Sequence, residues 1–271
     1  MRAYPLADTA LARRIEGAAV VDRIGYAEAA HQNGVFPAAR TLRIGGGVAT
    51  WLSVGNVVNG SVGLGMSGPV AVEEVDRLVE FFESRGALPT LDICPHADSS
   101  LLSALQRRGF ALSDFEGVLY QPLPTPRQPR PAPGVRVSVA RTQAERSTWA
   151  DLAARGFSDD KPTAADRALS TSISTRADAI HLIGYLDGQP AGTGMLYLAD
   201  GVADFSGDST LPVMRNRGVQ SAILAERLRI ASRAGCDLAV IGASPGGTSQ
   251  RNQERAGFRI AYTRATLIRS P

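Results

Sequence analysis

Cysteine, histidine and aromatic residues are scarce in this sequence. The 271 residues include two cysteines, Cys94 and Cys236. Two are too few for a disulfide framework, and no C-x-x-C spacing offers a zinc site. They read as buried thiols of a reducing, cytoplasmic compartment, and no metal is expected. No apolar run approaches the roughly 20 residues of a membrane-spanning helix, so no membrane partner is expected. The first thirty residues carry charges throughout, unlike a secretory signal. They read instead as an amphipathic helix starting after Asp8 or Thr9. There is no basic run interleaved with aromatics, which argues against nucleic acid. The net charge of +3 is spread along the chain. It fits a modest local demand for an anionic ligand.

What is present is the composition of a globular protein, 44% hydrophobic and 20% charged, in a chain longer than the usual single domain. One segment divides it. "PLPTPRQPRPAPG", Pro122 to Gly134, is dense in proline and lacks apolar periodicity, as an extended linker does. The expected domains are 1–124 and 135–271, joined by a linker over 125–134.

Both halves mix helices and strands, so the expected class is α+β. In the second half, "GVRVSVA" alternates as a strand. "TQAERSTWADLAARGF" and "TAADRALSTSISTRA" read as helices, the first with Thr142 as N-cap. "AIHLIGYLDG" and "QPAGTGMLYLADG" read as a hairpin through Asp187-Gly188, and "VADFSGDST" continues the meander. A long helix follows from about Val219 to Ala234, ended by Gly235. Then come an apolar strand, "CDLAVIGAS", a short helix, "GTSQRNQERAG", and a final strand, "FRIAYTRATLIR". The first half repeats this order. "RTLRIGGGVATWLS" and "VVNGSVGLGMSG" read as a hairpin, "AVEEVDRLVEFFESRG" as an amphipathic helix, "LPTLDICP" as a strand. "SSLLSALQRRG" reads as a short helix and "FALSDFEGVLYQPL" as a closing strand. Arg107, Gly109 and Phe110 recur 148 positions later as Arg255, Gly257 and Phe258. The chain reads as two copies of one fold.

The segment "TLPVMRNRGVQSAILAERLRIASRAG" carries the chemistry. Arg215 and Arg217 stand immediately before a helix, where the helix dipole is positive. Two cations there are unfavourable unless an anion sits on them. A helix start also offers up to about four unpaired N–H groups, and Gly218 lets the backbone approach a ligand closely. Together they suit a phosphate or pyrophosphate. An arginine-rich surface turn with a geometric glycine is the alternative on these residues alone.

The pattern Arg/Gln-x-x-Gly-x-Gly/Ala between a strand and a long helix resembles the pyrophosphate loop of the GCN5-related N-acetyltransferases. Arg215, Gly218 and Gln220 occupy its key places, with Gln220 where the family usually has Gly or Ala. Gly257-Phe258 opens a strand as in that family. The resemblance implies two tandem acetyltransferase folds, each a mostly antiparallel central sheet flanked by helices. It implies acetyl-coenzyme A as co-substrate, held by Arg215, Asn216, Arg217, Gly218, Val219, Gln220 and Ser221. The pantetheine arm would enter where the preceding strand splays from "CDLAVIGAS", near Ser209, Thr210 and Leu211, with Asn252 alongside. At the corresponding place the first half reads "GMSGPVAVEEVDRL", without arginine and with Glu73 and Glu74 in the first helical turn. It is expected not to bind the coenzyme in the same way.

A neutral amine is needed for attack. For a lysine-like amine, deprotonation at pH 7 costs about 4–5 kcal/mol, so a base is useful. Asp204 and Asp208, four apart on one strand, are expected to share a face; the resemblance implies a carboxylate on this strand near Asp204, which makes Asp204 the favoured base. His181 reads as packed, and His96 and His31 belong to the first half. The family's usual tyrosine acid is replaced by Gln253, and an Asn seven residues before it by Gly246. Tyr262 and Tyr197 are candidates by type only. The expected activity is direct acetyl transfer to a small-molecule or peptide amine; a homodimer is compatible with it. The alternatives are a non-catalytic acyl-coenzyme A-binding regulator and a purely structural pair of folds.

Overall fold

The computed structural model describes residues 4–124 and 131–270. Of the expected linker, 125–130 lie outside the described residues. The chain forms two compact units that are interleaved in sequence rather than divided at the linker. One comprises Met1–Tyr4, Tyr120–Ile241 and Asn252–Phe258; the other comprises Pro5–Leu119, Gly242–Arg251 and Arg259–Pro271. Thus the C-terminal strand expected with 135–271 belongs to the unit built mainly from the first half.

That unit starts with α1 (Thr9–Gln32), which Asp8 caps by accepting from Leu11 N–H. Strands β1 (Arg40–Ile44) and β2 (Gly47–Trp51) follow, then β3 (Gly60–Val62), α2 (Val72–Glu83), β4 (Thr90–Ile93), α3 (Ser99–Arg107) and β5 (Phe110–Pro122). The hairpin lies within "RTLRIGGGVATWLS" itself, because the tight Gly45-Gly46 turn has both residues at positive φ. β3 then adds to β2 as a third antiparallel strand. The strand order is β1-β2-β3-β4-β11-β5, where β11 is Arg259–Arg269. β11 pairs antiparallel with β4, from Ala265 opposite Ile93 to Ile268 opposite Thr90. Val75, Leu78 and Phe82 of α2 and Leu101 and Leu105 of α3 fill the core beneath. Their three- and four-residue spacing is the apolar stripe of an amphipathic helix.

The second unit holds β6 (Val135–Val139), α4 (Gln143–Phe157), α5 (Ala164–Ser174), β7 (Ala179–Leu186), β8 (Gln189–Ala199) and β9 (Val202–Thr210). A 3₁₀ turn (Pro212–Met214), α6 (Val219–Arg233), β10 (Leu238–Ala243) and α7 (Thr248–Arg255) follow; the residues of β10 and of α7 are divided between the two units. Thr142 and Thr163 open α4 and α5 with reciprocal capping boxes to Glu145 and Asp166. The strand order is β10-β9-β8-β7-β6. The pairs are antiparallel except β9 with β10, which run parallel. Cys94 and Cys236 are both buried and free. No helix among the described residues is long and apolar enough to cross a membrane.

Candidate functional site

The site is built where β9 changes partners. Its parallel ladder with β10 covers Val202–Phe205 against Leu238–Ile241, yet β9 continues to Thr210. Just past Phe205 the pairing with β8 shifts register between Thr193 and Met195, and Gly207 adopts φ 67°. This is a β-bulge, with one extra residue on β9. It reverses the alternation of faces. Asp204, Ser206 and Ser209 stand opposite Tyr197, Met195 and Thr193 and share one face. Asp208 is displaced to the other face, so the expectation that Asp204 and Asp208 share a face is corrected. The Thr193 hydroxyl donates to Gly207 O at 2.8 Å and lies 2.8 Å from the Ser209 hydroxyl. The Ser209 hydroxyl also reaches Leu152 O of α4 at 3.4 Å.

After the 3₁₀ turn the loop takes Asn216 to φ 62° and Gly218 to φ 85° before α6 begins. Gly218 is the N-cap, and no side chain caps the helix. The first-turn N–H groups therefore lie at the positive end of α6 without the usual Ser, Thr or Asp acceptor. Both loop arginines are balanced by carboxylates. Arg215 Nη2 donates to Asp159 Oδ1 at 2.6 Å and to Gly156 O at 3.2 Å, and its Nε donates to Thr210 O at 3.2 Å. It thus ties the end of β9 to the last turn of α4, a favourable place for a cation. Arg217 is held more loosely, 3.4 Å from Asp187, with both side chains exposed.

The remaining expected residues fall into two groups. Gln220 turns inward: its Nε2 donates to Thr193 O at 3.2 Å, to Thr210 Oγ1 at 2.9 Å and to Ser209 O. Ser209, Thr210 and Leu211 are buried, and Leu211 N–H donates to Ala191 O at 2.9 Å. Val219 is buried too, against a hole at Gly184, where an added Cβ would lie 2.7 Å from its Cγ1. The exposed groups are Arg215, Asn216, Arg217 and Ser221. The Asn252 side chain accepts from Arg255, and Gln253 is 3% exposed.

The groups named as acids and bases are variously engaged. Tyr262 donates to Glu16 Oε1 at 2.7 Å in the unit built mainly from the first half. Burial and the Glu16 charge push its phenol far above the usual range. Tyr197 lies beneath the buried Arg176 guanidinium, 5.5 Å away. His96 approaches the Thr9 hydroxyl at 3.1 Å.

His181 is 1% exposed, packed edge-on against Trp149. Its Nε2 must donate to Ile173 O, 2.9 Å away, since a carbonyl only accepts. Burial is the largest cause of its lowered pKa, about 4, with Arg146 and Arg176 adding to it. The unfolded chain's imidazole, near 6.5, binds its proton first as pH falls. Stability is therefore full above about pH 6.5 and declines toward about pH 4, by on the order of 3 kcal/mol. The melting midpoint of wild type is expected to drop more between pH 7 and 4.5 than that of His181→Phe, measured by circular dichroism. Equal drops would exclude His181 as the source.

The sequence reading missed Arg227, Asp159 and Asp187. Arg227 had a signal: it interrupts the buried stripe of α6 formed by Ile223, Leu224, Leu228 and Ala231. The two aspartates sit in turns, both at positive φ, where composition gives no hint of a partner.

The equivalent loop of the first copy is closed by its own chain. Glu74 accepts from Gly45 N–H at 2.9 Å and from Ala71 N–H at 3.2 Å. Gly65 O accepts from Asp98 N–H at 2.9 Å, and Leu64 and Met66 are buried beside it. A carboxylate occupies the start of α2, where an anion would have to bind.

No family model matches the sequence, and no curated protein matches it. Solved structures do. A GCN5-related N-acetyltransferase from Kribbella flavida superposes with a TM-score of 0.67 at 18% identity, covering 92% of this chain and 95% of that one. One from Sphaerobacter thermophilus gives 0.59 at 17% identity, over 85% of this chain and 75% of that one. A tandem GNAT protein from the clavulanic acid biosynthesis pathway gives 0.54 at 14% identity, over 69% and 65%. The chain carries the fold of the GCN5-related N-acetyltransferases, in a tandem arrangement.

Proposed function

We propose that this protein transfers an acetyl group from acetyl-coenzyme A to a small-molecule or peptide amine, by direct transfer in a ternary complex. The observation that carries this reading is the start of α6. An uncapped helix opens on a left-handed Gly218 just after two cations, Arg215 and Arg217, on the loop that follows a strand whose parallel ladder has ended. The residues fit the coenzyme's pyrophosphate. Backbone N–H groups of Val219–Ser221 would hold its oxygens, and Arg217 would exchange its long contact with Asp187 for a charge-assisted one. Arg215 would keep the loop in place through Thr210, Gly156 and Asp159. Bound there, the coenzyme's thioester supplies the acetyl group. The neutral amine nitrogen bonds to the carbonyl carbon, the carbon–sulfur bond breaks with the electron pair leaving on the coenzyme's thiolate, and Asp204 takes the proton the amine loses.

One observation favours a second reading, a regulator that binds acyl-coenzyme A without turnover. Gln253, in the family's tyrosine place, is buried and has no proton to give the leaving thiolate. Thiol release from acetyl-coenzyme A with a panel of primary amines separates the two. Amine-dependent release that falls in Asp204→Asn, with coenzyme affinity kept, supports the transferase. Binding without release for any amine supports the regulator.

A further inference from the structure

We propose that Arg227 is a positioning residue: its buried guanidinium clamps the β9 bulge and so holds open the end of β9 that receives the acyl-coenzyme arm. The proposal rests on the coenzyme reading above. The Arg227 side chain is fully buried on the apolar face of α6, an expensive place for a charge. What it touches explains it. Nη1 donates to Met195 O at 3.1 Å on β8, to Ser206 O at 3.2 Å on β9, and to Asp208 Oδ2 at 2.8 Å. Nη2 donates to the other Asp208 oxygen. The guanidinium carbon stands 4.7 Å over the Phe205 ring, the last residue paired with β10.

These acceptors are the rung next to the bulge, Met195 opposite Ser206, and Asp208 within it. A bulge disrupts the ladder locally, and Arg227 donates to both carbonyls of the adjoining rung from α6, tying β8 to β9 there. Gly194, opposite the extra residue, makes the room. A Cβ there would lie 3.4 Å from the Arg227 Cζ and Nε and 2.5 Å from Ile223. Among the described residues Arg227 Nε has no hydrogen-bond partner, so the strand acceptors, rather than full satisfaction of the guanidinium, fix its pose. Asp208 is the counter-ion of the clamp and is thereby withdrawn from proton transfer.

The test removes both charges together. Buried ion pairs are often replaceable by apolar residues without loss of stability. Arg227→Met combined with Asp208→Leu should keep the melting midpoint within about 5 °C of wild type. Amide exchange over Ser206–Thr210, without ligand, should speed at least about tenfold. The dissociation constant for acetyl-coenzyme A should rise at least about tenfold. Unchanged exchange and affinity in the folded pair would overturn the proposal. If wild type binds no coenzyme, the functional reading fails, and the exchange result still judges the clamp. Should the pair fail to fold, Arg227→Lys, which keeps the charge and loses the fork of donors, carries the same exchange comparison: accelerated exchange supports the clamp and unchanged exchange refutes it.

Discussion

Gly218→Ala is expected to weaken acetyl-coenzyme A binding by about 30-fold or more, the equivalent of roughly 2 kcal/mol. Two independent constraints converge on this residue. Its φ of 85° lies in the left-handed region, where a side chain costs about 1–2 kcal/mol. A Cβ would also come 2.9 Å from the Ala132 Cβ, closer than such atoms approach. The chain can relieve both only by moving the loop that starts α6. Each charge-assisted hydrogen bond to the pyrophosphate is worth about 1.5–3 kcal/mol, and the first-turn amides lose alignment together. Gly235→Ala is the control. Gly235 has a similar φ of 82°, but nothing stands within 4 Å of an added Cβ, and it lies beyond the opposite end of α6. It should lower stability and leave affinity unchanged. Calorimetric titration of both variants checks this; wild-type affinity in Gly218→Ala would refute the role given to the loop.

Glu16→Ala should be the most destabilising of the substitutions considered, by about 3–5 kcal/mol. Glu16 is 1% exposed, and one of its oxygens accepts from Tyr262 at 2.7 Å and from Arg264 at 2.8 Å. Arg264 is itself buried, and its charge is stabilised first by Glu16 and then by Glu116. Without Glu16 the guanidinium is left, among the described residues, with Glu116, whose side chain is 41% exposed and screened by water. The phenol of Tyr262 loses its acceptor as well. At roughly 2–4 °C per kcal/mol for a protein of this size, the melting midpoint should fall by about 10 °C. Glu116→Ala, removing the exposed partner, should cost less than about 1 kcal/mol. A shift below about 2 °C for Glu16→Ala would mean that Arg264 finds other compensation.

The features legible in the sequence were local ones. Thr142 marks the start of α4, Gly235 ends α6 at positive φ, and the amphipathic pattern of α2 buries Val75, Leu78 and Phe82. The bulge at Gly207 was hidden because a lone glycine in a strand leaves the alternating pattern readable on either side. That single residue moved Asp208 to the other face. The interleaving of the units was hidden for a different reason. A proline-rich segment announces a linear division, whereas the pairing of β11 with β4 joins residues more than 170 positions apart, which no local signal records. In the site, the cations were legible as a conflict with the helix dipole. Their partners were not, since Asp159 and Asp187 are brought in by α4 and by the β7–β8 turn.

The central claim is that the start of α6 holds an anionic acyl-coenzyme. Amide hydrogen exchange with and without saturating acetyl-coenzyme A tests it most directly. The account predicts slowed exchange over Arg217–Ser221 and the end of β9, Ser206–Thr210, with the equivalent segment of the first copy, 65–74, unchanged. Slowed exchange elsewhere but not over Arg217–Ser221, or no change anywhere, would contradict it.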